Sequence, residues 1–169
     1  MRPGKNDYFP YLETYIAKVK EDTALSALEK ALSTTLSVLY AIPSEKWNFA
    51  YAPDKWTVKE LVVHTIDTER VFGYRALAFA RGEMQLLPAF DENAFAKHSE
   101  ANSRTAESIC EEFKTLRTAN ISLFGSFSDQ TLQRSGKVPA GTITVNALGY
   151  AICGHTAHHL EVLAHRYLK

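Results

Sequence analysis

Residues 154–162 read GHTAHHLEV, and the spacing of their histidines decides how the last third of the chain is read. An α-helix advances about 100° per residue. On that wheel Val145, Leu148, Ile152, His155, His159, Val162 and Leu163 fall within a stripe roughly 100° wide. His155 and His159 therefore lie in the middle of an apolar face. His158 and His165 fall on the other flank, beside Glu161, and are read as solvated. Cys153 points nearly opposite His155, which argues against a Cys/His metal pair. Imidazoles at i and i+4 lie one above the other, close enough to share one ion. The alternative is a pair of core histidines, each bonded to a carbonyl or carboxylate, because a buried ring without a partner is costly.

Working outward, three further segments carry helical periodicity. The first spans about Thr23 to Ala41, with Leu25, Leu28, Leu32, Leu36 and Leu39 at steps of three and four and Pro43 beyond its end. A shorter helix around Tyr8 to Val19 precedes it. The second opens on Thr57-Val-Lys-Glu60, the form of a capping box, and runs to about Arg81 with Gly82 as its stop. The third covers roughly Thr105 to Phe124, with Ile109, Phe113, Leu116, Ile121 and Phe124 inward. The histidine-bearing segment is the fourth, from about Thr144 to the C-terminus. Residues 86–103, LLPAFDENAFAKHSEANS, read as a long polar loop, and residues 134–144, RSGKVPAGTIT, as a loop or small hairpin. Strand-like alternation is otherwise absent, and no repeat or linker divides the chain. The expectation is an all-α four-helix bundle with long connecting loops, one domain over residues 1–169.

The second segment holds two more polar residues of interest. His64 lies at the border between faces, in a row with Leu61, Thr68, Val71 and Arg75, so it can reach across a helix seam without being forced to. Glu69 falls among the apolar residues of that helix. A buried carboxylate needs a partner, which could be the N–H of a metal-bound imidazole or an arginine on another helix. His98 sits in the polar loop without a companion of ligand type.

The composition narrows the function classes. With 46% apolar and 22% charged residues, the 169-residue chain has the balance of a globular domain, able to bury about two-thirds of its unfolded surface. Nineteen basic residues cancel nineteen acidic ones and no basic stripe stands out, so no nucleic-acid partner is expected. The first residues lack the apolar run of a signal peptide, and no stretch approaches the ~20 apolar residues of a membrane span. Cys110 and Cys153 form no CxxC pair and read as reduced, buried thiols. The expectation is a cytoplasmic protein with no membrane partner.

Two blocks carry a family resemblance. Residues 52–83, APDKWTVKELVVHTIDTERVFGYRALAFARGE, resemble the Trp-Ser/Thr-x-x-Glu…His…Asp-x-Glu-Arg segment of the DinB-like (YfiT-like) family. GHTAHHLEVL at 154–163 resembles the Gly-His-x-x-x-His stretch of that family's last helix. The resemblance implies a four-helix bundle, often a homodimer, holding a divalent metal on three histidines. Position by position these are His64, His155 and His159. It offers no counterpart here for a catalytic base or a thiol-binding residue.

Three neutral imidazoles would leave the metal an open side for water or substrate. Such ligands suit zinc, nickel, copper or iron, with zinc or nickel foremost. The ion could acidify a water for hydrolysis or a substrate thiol for nucleophilic attack. The resemblance points to a metal-dependent thiol S-transferase acting on electrophilic small molecules, with a low-molecular-weight thiol as co-substrate. It also admits a metal-dependent hydrolase, or a non-catalytic stress-induced bundle with a structural metal.

Overall fold

The computed structural model describes residues 1–169. Its four long helices are α2 (Ala24–Tyr40), α3 (Val58–Ala80), α5 (Ala106–Gly125) and α7 (Val145–Val162). Shorter pieces complete it: α1 (Glu13–Ile16) after a 3₁₀ turn, α4 (Glu92–His98), α6 (Asp129–Leu132) and the strands β1 (Ser135–Val138) and β2 (Gly141–Thr144). All four long helices start on a threonine whose hydroxyl accepts from a backbone N–H three residues on: Thr23, Thr57, Thr105 and Thr144. At Thr57 the capping box is complete, since Oε2 of Glu60 also accepts from the Thr57 N–H at 2.7 Å. Gly82, at φ +88°, takes the left-handed turn that ends the run after α3.

The all-α bundle is as expected, with differences that have physical reasons. The stretch 86–103 is not a bare loop. Asp91 caps Asn93 and Ala94 to start α4, and a 3₁₀ turn follows at Ala101–Ser103. Residues 135–144 form the small hairpin, with Gly136 opposite Ile143. The helix expected over Tyr8–Val19 shrinks to Pro10–Ile16, and the last helix ends in a π turn at Leu163–Tyr167. In α2 the fully buried positions are Ala24, Ala27, Leu28, Thr35 and Leu39, while Leu25, Leu32 and Leu36 are half-covered.

In the packing, α7 lies against α3 and α2, and α5 lies against the same two helices. Thus α2 and α3, consecutive among the long helices, occupy opposite corners of the bundle. The long connection 41–57 makes that diagonal step possible. Helix α1 packs on a further side of α7. From Val145 to Thr156 every residue of α7 is buried, so it is the central helix and not a one-sided amphipathic one.

The core is layered along the helix axes. One apolar cluster gathers Leu28, Phe72, Phe79, Phe124, Leu148 and Ile152; another gathers Leu39, Ile66, Ile109, Phe113, Leu163 and Tyr167. Each long helix carries buried polar residues between its contributions to the two clusters: Thr35 on α2, Thr68 and Glu69 on α3, Arg117 and Asn120 on α5, His155 and Thr156 on α7. The bundle therefore contains a polar belt at mid-height.

Candidate metal centre

At the edge of this belt the three histidines come together. Nε2 of His155 lies 3.2 Å from Nε2 of His64 and 3.1 Å from Nε2 of His159. One ligand atom from each ring falls within 4.8 Å of the others. His64 and His155 are buried and His159 is half-buried, so the border position of His64 on the helix wheel is closed over in three dimensions. Trp56, immediately before the capping box, does much of that covering, with its ring 4.7 Å from the His64 ring. Tyr15 of α1 lies edge-on to His155 at 5.3 Å.

Burial sets the charge state of the rings. It pushes His64 down to about 4, an effect that the Glu92 carboxylate partly opposes. It lowers His159 to about 3 with help from His64 and His158, and lowers His155 well below the ordinary imidazole value. Near neutrality all three are uncharged, which is the form that coordinates metal.

The arrangement fits a divalent cation better than it fits a bare hydrogen-bond cluster. Nε2 of His155 has two nitrogen neighbours, but a single ring nitrogen offers one proton or one lone pair. Nδ1 of His159 is buried without a polar partner. A cation accepted by three inward lone pairs removes the first conflict. Zinc–nitrogen bonds of about 2.0–2.1 Å put tetrahedral ligand atoms about 3.3 Å apart, close to the 3.2 and 3.1 Å that separate Nε2 of His155 from those of His64 and His159.

A cleft of about 240 Å³ opens onto all three rings, and Tyr15, Trp56, Phe72, Phe90 and Glu92 contribute to its wall. A second cleft, of about 260 Å³, shares Trp56 and His159 with the first and adds Asp54 and Lys55. The segment carrying Phe90 and Glu92 is tied down by two bonds: Arg75 donates to the Pro88 carbonyl at 2.7 Å, and Leu87 N–H to the Lys137 carbonyl at 3.0 Å.

The other histidines stay out of the cluster. His98 and His165 are exposed. His158 is half-buried against Tyr15 at 5.5 Å and lines the rim of the cleft, a closer neighbour of the site than the solvated reading allowed, because α1 covers that side of α7. Cys110 and Cys153 are both buried away from the three rings' cleft. Glu69 resolves in favour of the arginine: Arg117 donates to both carboxylate oxygens, at 2.7 and 2.8 Å. Arg117 and Asn120 were findable, since they continue the spacing Ile109, Phe113, Phe124 on the inward face of α5. Tyr15 and Glu92 give no such signal, being placed only by the tertiary fold.

A family model described as the DinB superfamily matches residues 27–163. No curated protein matches the chain. Among solved structures, YfiT from Bacillus subtilis superposes with a TM-score of 0.70 at 19% identity, over 97% of this chain and 92% of its own. It is described as a probable metal-dependent hydrolase with an unusual four-helix bundle topology. A mycothiol-dependent maleylpyruvate isomerase gives a TM-score of 0.68 at 9% identity, over 86% of this chain and 61% of its own. The chain thus spans less than two-thirds of that enzyme. At these identities the two likenesses carry the fold.

Proposed function

The chain belongs to the DinB superfamily, and from that premise we propose that it is a metal-dependent enzyme that joins a low-molecular-weight thiol to an electrophilic small molecule. The observation that carries the reading is the convergence of His64, His155 and His159 at a cleft that leaves one side open. A structural site would be closed by a fourth protein ligand. On this reading the three histidines hold a zinc or nickel ion, which when bound supplies the Lewis acidity that makes a thiol or a water nucleophilic near pH 7.

The residues around the rings have separable tasks. Trp56 and Tyr15 exclude bulk water from His64 and His155 and hold the rings in place. The Glu92 carboxylate stands in the cleft wall as a group able to take up the proton that an incoming thiol releases. The nucleophilic sulfur comes from a second small molecule, because burial raises Cys110 to about 11 and Cys153 to about 12 and neither lines this cleft. Two clefts sharing Trp56 and His159 suit a reaction with two substrates.

A hydrolase is the second reading, favoured by the description of the similar Bacillus subtilis structure. We also read the chain as a single-domain, cytoplasmic homodimer acting on small molecules. No helix is long and apolar enough to cross a membrane. The deciding experiment is metal content after purification without a His tag or added metal, followed by thiols assayed with electrophiles and, separately, by ester and amide substrates without thiol. Stoichiometric metal with thiol-dependent turnover supports the transferase. Turnover without thiol selects the hydrolase. Unfolding on chelation with no turnover of either kind selects a structural metal.

A further inference from the structure

The polar belt contains one fully buried ion pair, and its position relative to the histidines suggests a task beyond stability. Arg117 on α5 donates through Nε and Nη2 to the two oxygens of Glu69 on α3, and both side chains are essentially without solvent contact. The same Nη2 donates to Oγ1 of Thr156 on α7 at 3.1 Å. Nδ2 of Asn120 completes the Glu69 shell at 3.0 Å. Three helices are thus tied by one guanidinium. Its remaining nitrogen, Nη1, has no polar partner, and the guanidinium lies 5.0 Å from the Phe113 ring centroid.

The attachment points lie beside the three histidines on both helices. Thr156 directly follows His155. Glu69 comes five residues after His64, about 7.5 Å along α3 at 1.5 Å per residue. Apolar side chains tolerate small axial slips between helices, losing uniqueness before stability. Directional bonds at 2.7 to 3.1 Å do not. Burying both charges is no route to extra stability, since apolar replacements are often as stable or more so.

We propose that the Glu69–Arg117–Thr156 clamp is a positioning device that fixes the register of α3 against α7, so that His64 meets His155 before any ion arrives. Only the metal-binding arm of its test rests on the three-histidine reading above.

The test compares wild type with two variants. Thr156→Val removes the α7 arm alone. The double variant E69M/R117M removes both charges together, so neither is left uncompensated. Metal-stripped proteins are titrated with Co²⁺, whose visible absorption reports the ligand geometry, and the metal-free double variant is crystallised. The expected result is a double variant that melts cooperatively, binds Co²⁺ roughly 10–100-fold more weakly with altered bands, and holds the two Nε2 atoms beyond hydrogen-bond distance. Thr156→Val shows a smaller loss in the same direction. Wild-type affinity and spectrum in both variants, with the Nε2 atoms still in contact, overturns the clamp. If the double variant does not fold, Thr156→Val decides by its Co²⁺ affinity and spectrum. If wild type takes up no Co²⁺, the metal reading fails, and the metal-free separation of His64 and His155 alone decides the clamp.

Discussion

His64 and His155 meet through Nε2 atoms 3.2 Å apart although 91 residues separate them. Neither helix could place its ring there alone. Helix α3 brings His64 to the seam with Trp56 packed on its ring, and α7 brings His155 from the centre of the bundle. The contact joins two uncharged rings in a setting that makes protonation costly, and His159 stands one turn further along α7.

Removing a ring from this cluster should remove the ion. His64→Ala and His159→Ala are expected to weaken binding of divalent metal by more than roughly 100-fold, beyond the 10–100-fold typical of residues that only support ligands. His158→Ala and His165→Ala should keep full metal content despite belonging to the same histidine-rich segment. Elemental analysis of the four purified variants checks this. Full metal in His64→Ala would sink the three-ligand reading.

How far the sequence alone could go differs between residues. His155 and His159 were separable from His158 because helical period is a local property, written in the positions of Leu148, Ile152 and Val162. Burial of α7 on every side was not, because Gly149 and Gly154 reveal their close neighbours only once α1, α2 and α5 are in place. His64 stayed at a border for the same reason: Trp56 covers it through a bend in the chain that no periodicity encodes. The identity of the Glu69 partner was open in one helix and closed by another, since Arg117 sits 48 residues away. Tyr15 and Glu92 enter the site through short or irregular segments, where spacing carries least information.

The depressed imidazoles make the metal-free protein acid-sensitive. Each ring binds a proton near pH 6.5 when unfolded, but His64 does so only near 4 and His159 near 3 when folded. Between those values the unfolded state holds more protons, so stability is full above about pH 6.5 and falls as pH drops towards 4. At about 1.4 kcal/mol per unit, His64 alone should cost on the order of 2–3 kcal/mol across that window. Urea midpoints of chelator-treated protein at pH 7.5, 6 and 5 should decline. Replacing His64 with Gln should flatten the slope, and a slope unchanged by that substitution would contradict the assignment.

The two thiols should be nearly silent in the native protein. Burial raises Cys153 to about 12, and raises Cys110 to about 11 with the Glu107 carboxylate adding to it. Since the thiolate is the reactive form, both are expected to resist a thiol-specific disulfide reagent at pH 8 until denaturant is added. Cys153 should be the slower, because burial raises its thiol further; cleft access does not separate them, since Cys110 lines a cleft of about 630 Å³ and Cys153 one of about 220 Å³. Cys153→Ser should leave turnover with an external thiol intact. Loss of turnover in a folded Cys153→Ser protein would show that this sulfur takes part after all.

Gly154, which opens the histidine segment, has a reason of its own. A Cβ there would stand 2.1 Å from the Tyr15 carbonyl oxygen and 2.4 Å from its carbon, both backbone atoms that cannot swing aside. The bare Cα lets α1 lie directly on α7, and this is what sets the Tyr15 ring against His155 and His158. Gly154→Ala should therefore push α1 outward, at an overpacking cost of about 1–3 kcal/mol. At roughly 2–4 °C per kcal/mol for a chain of this size, a drop of several degrees in Tm follows. The displaced Tyr15 should admit water to His155, so metal should exchange faster with chelator even where the variant is fully folded. An unchanged exchange rate, alongside the lowered Tm, would mean that Tyr15 serves only to cover the helix.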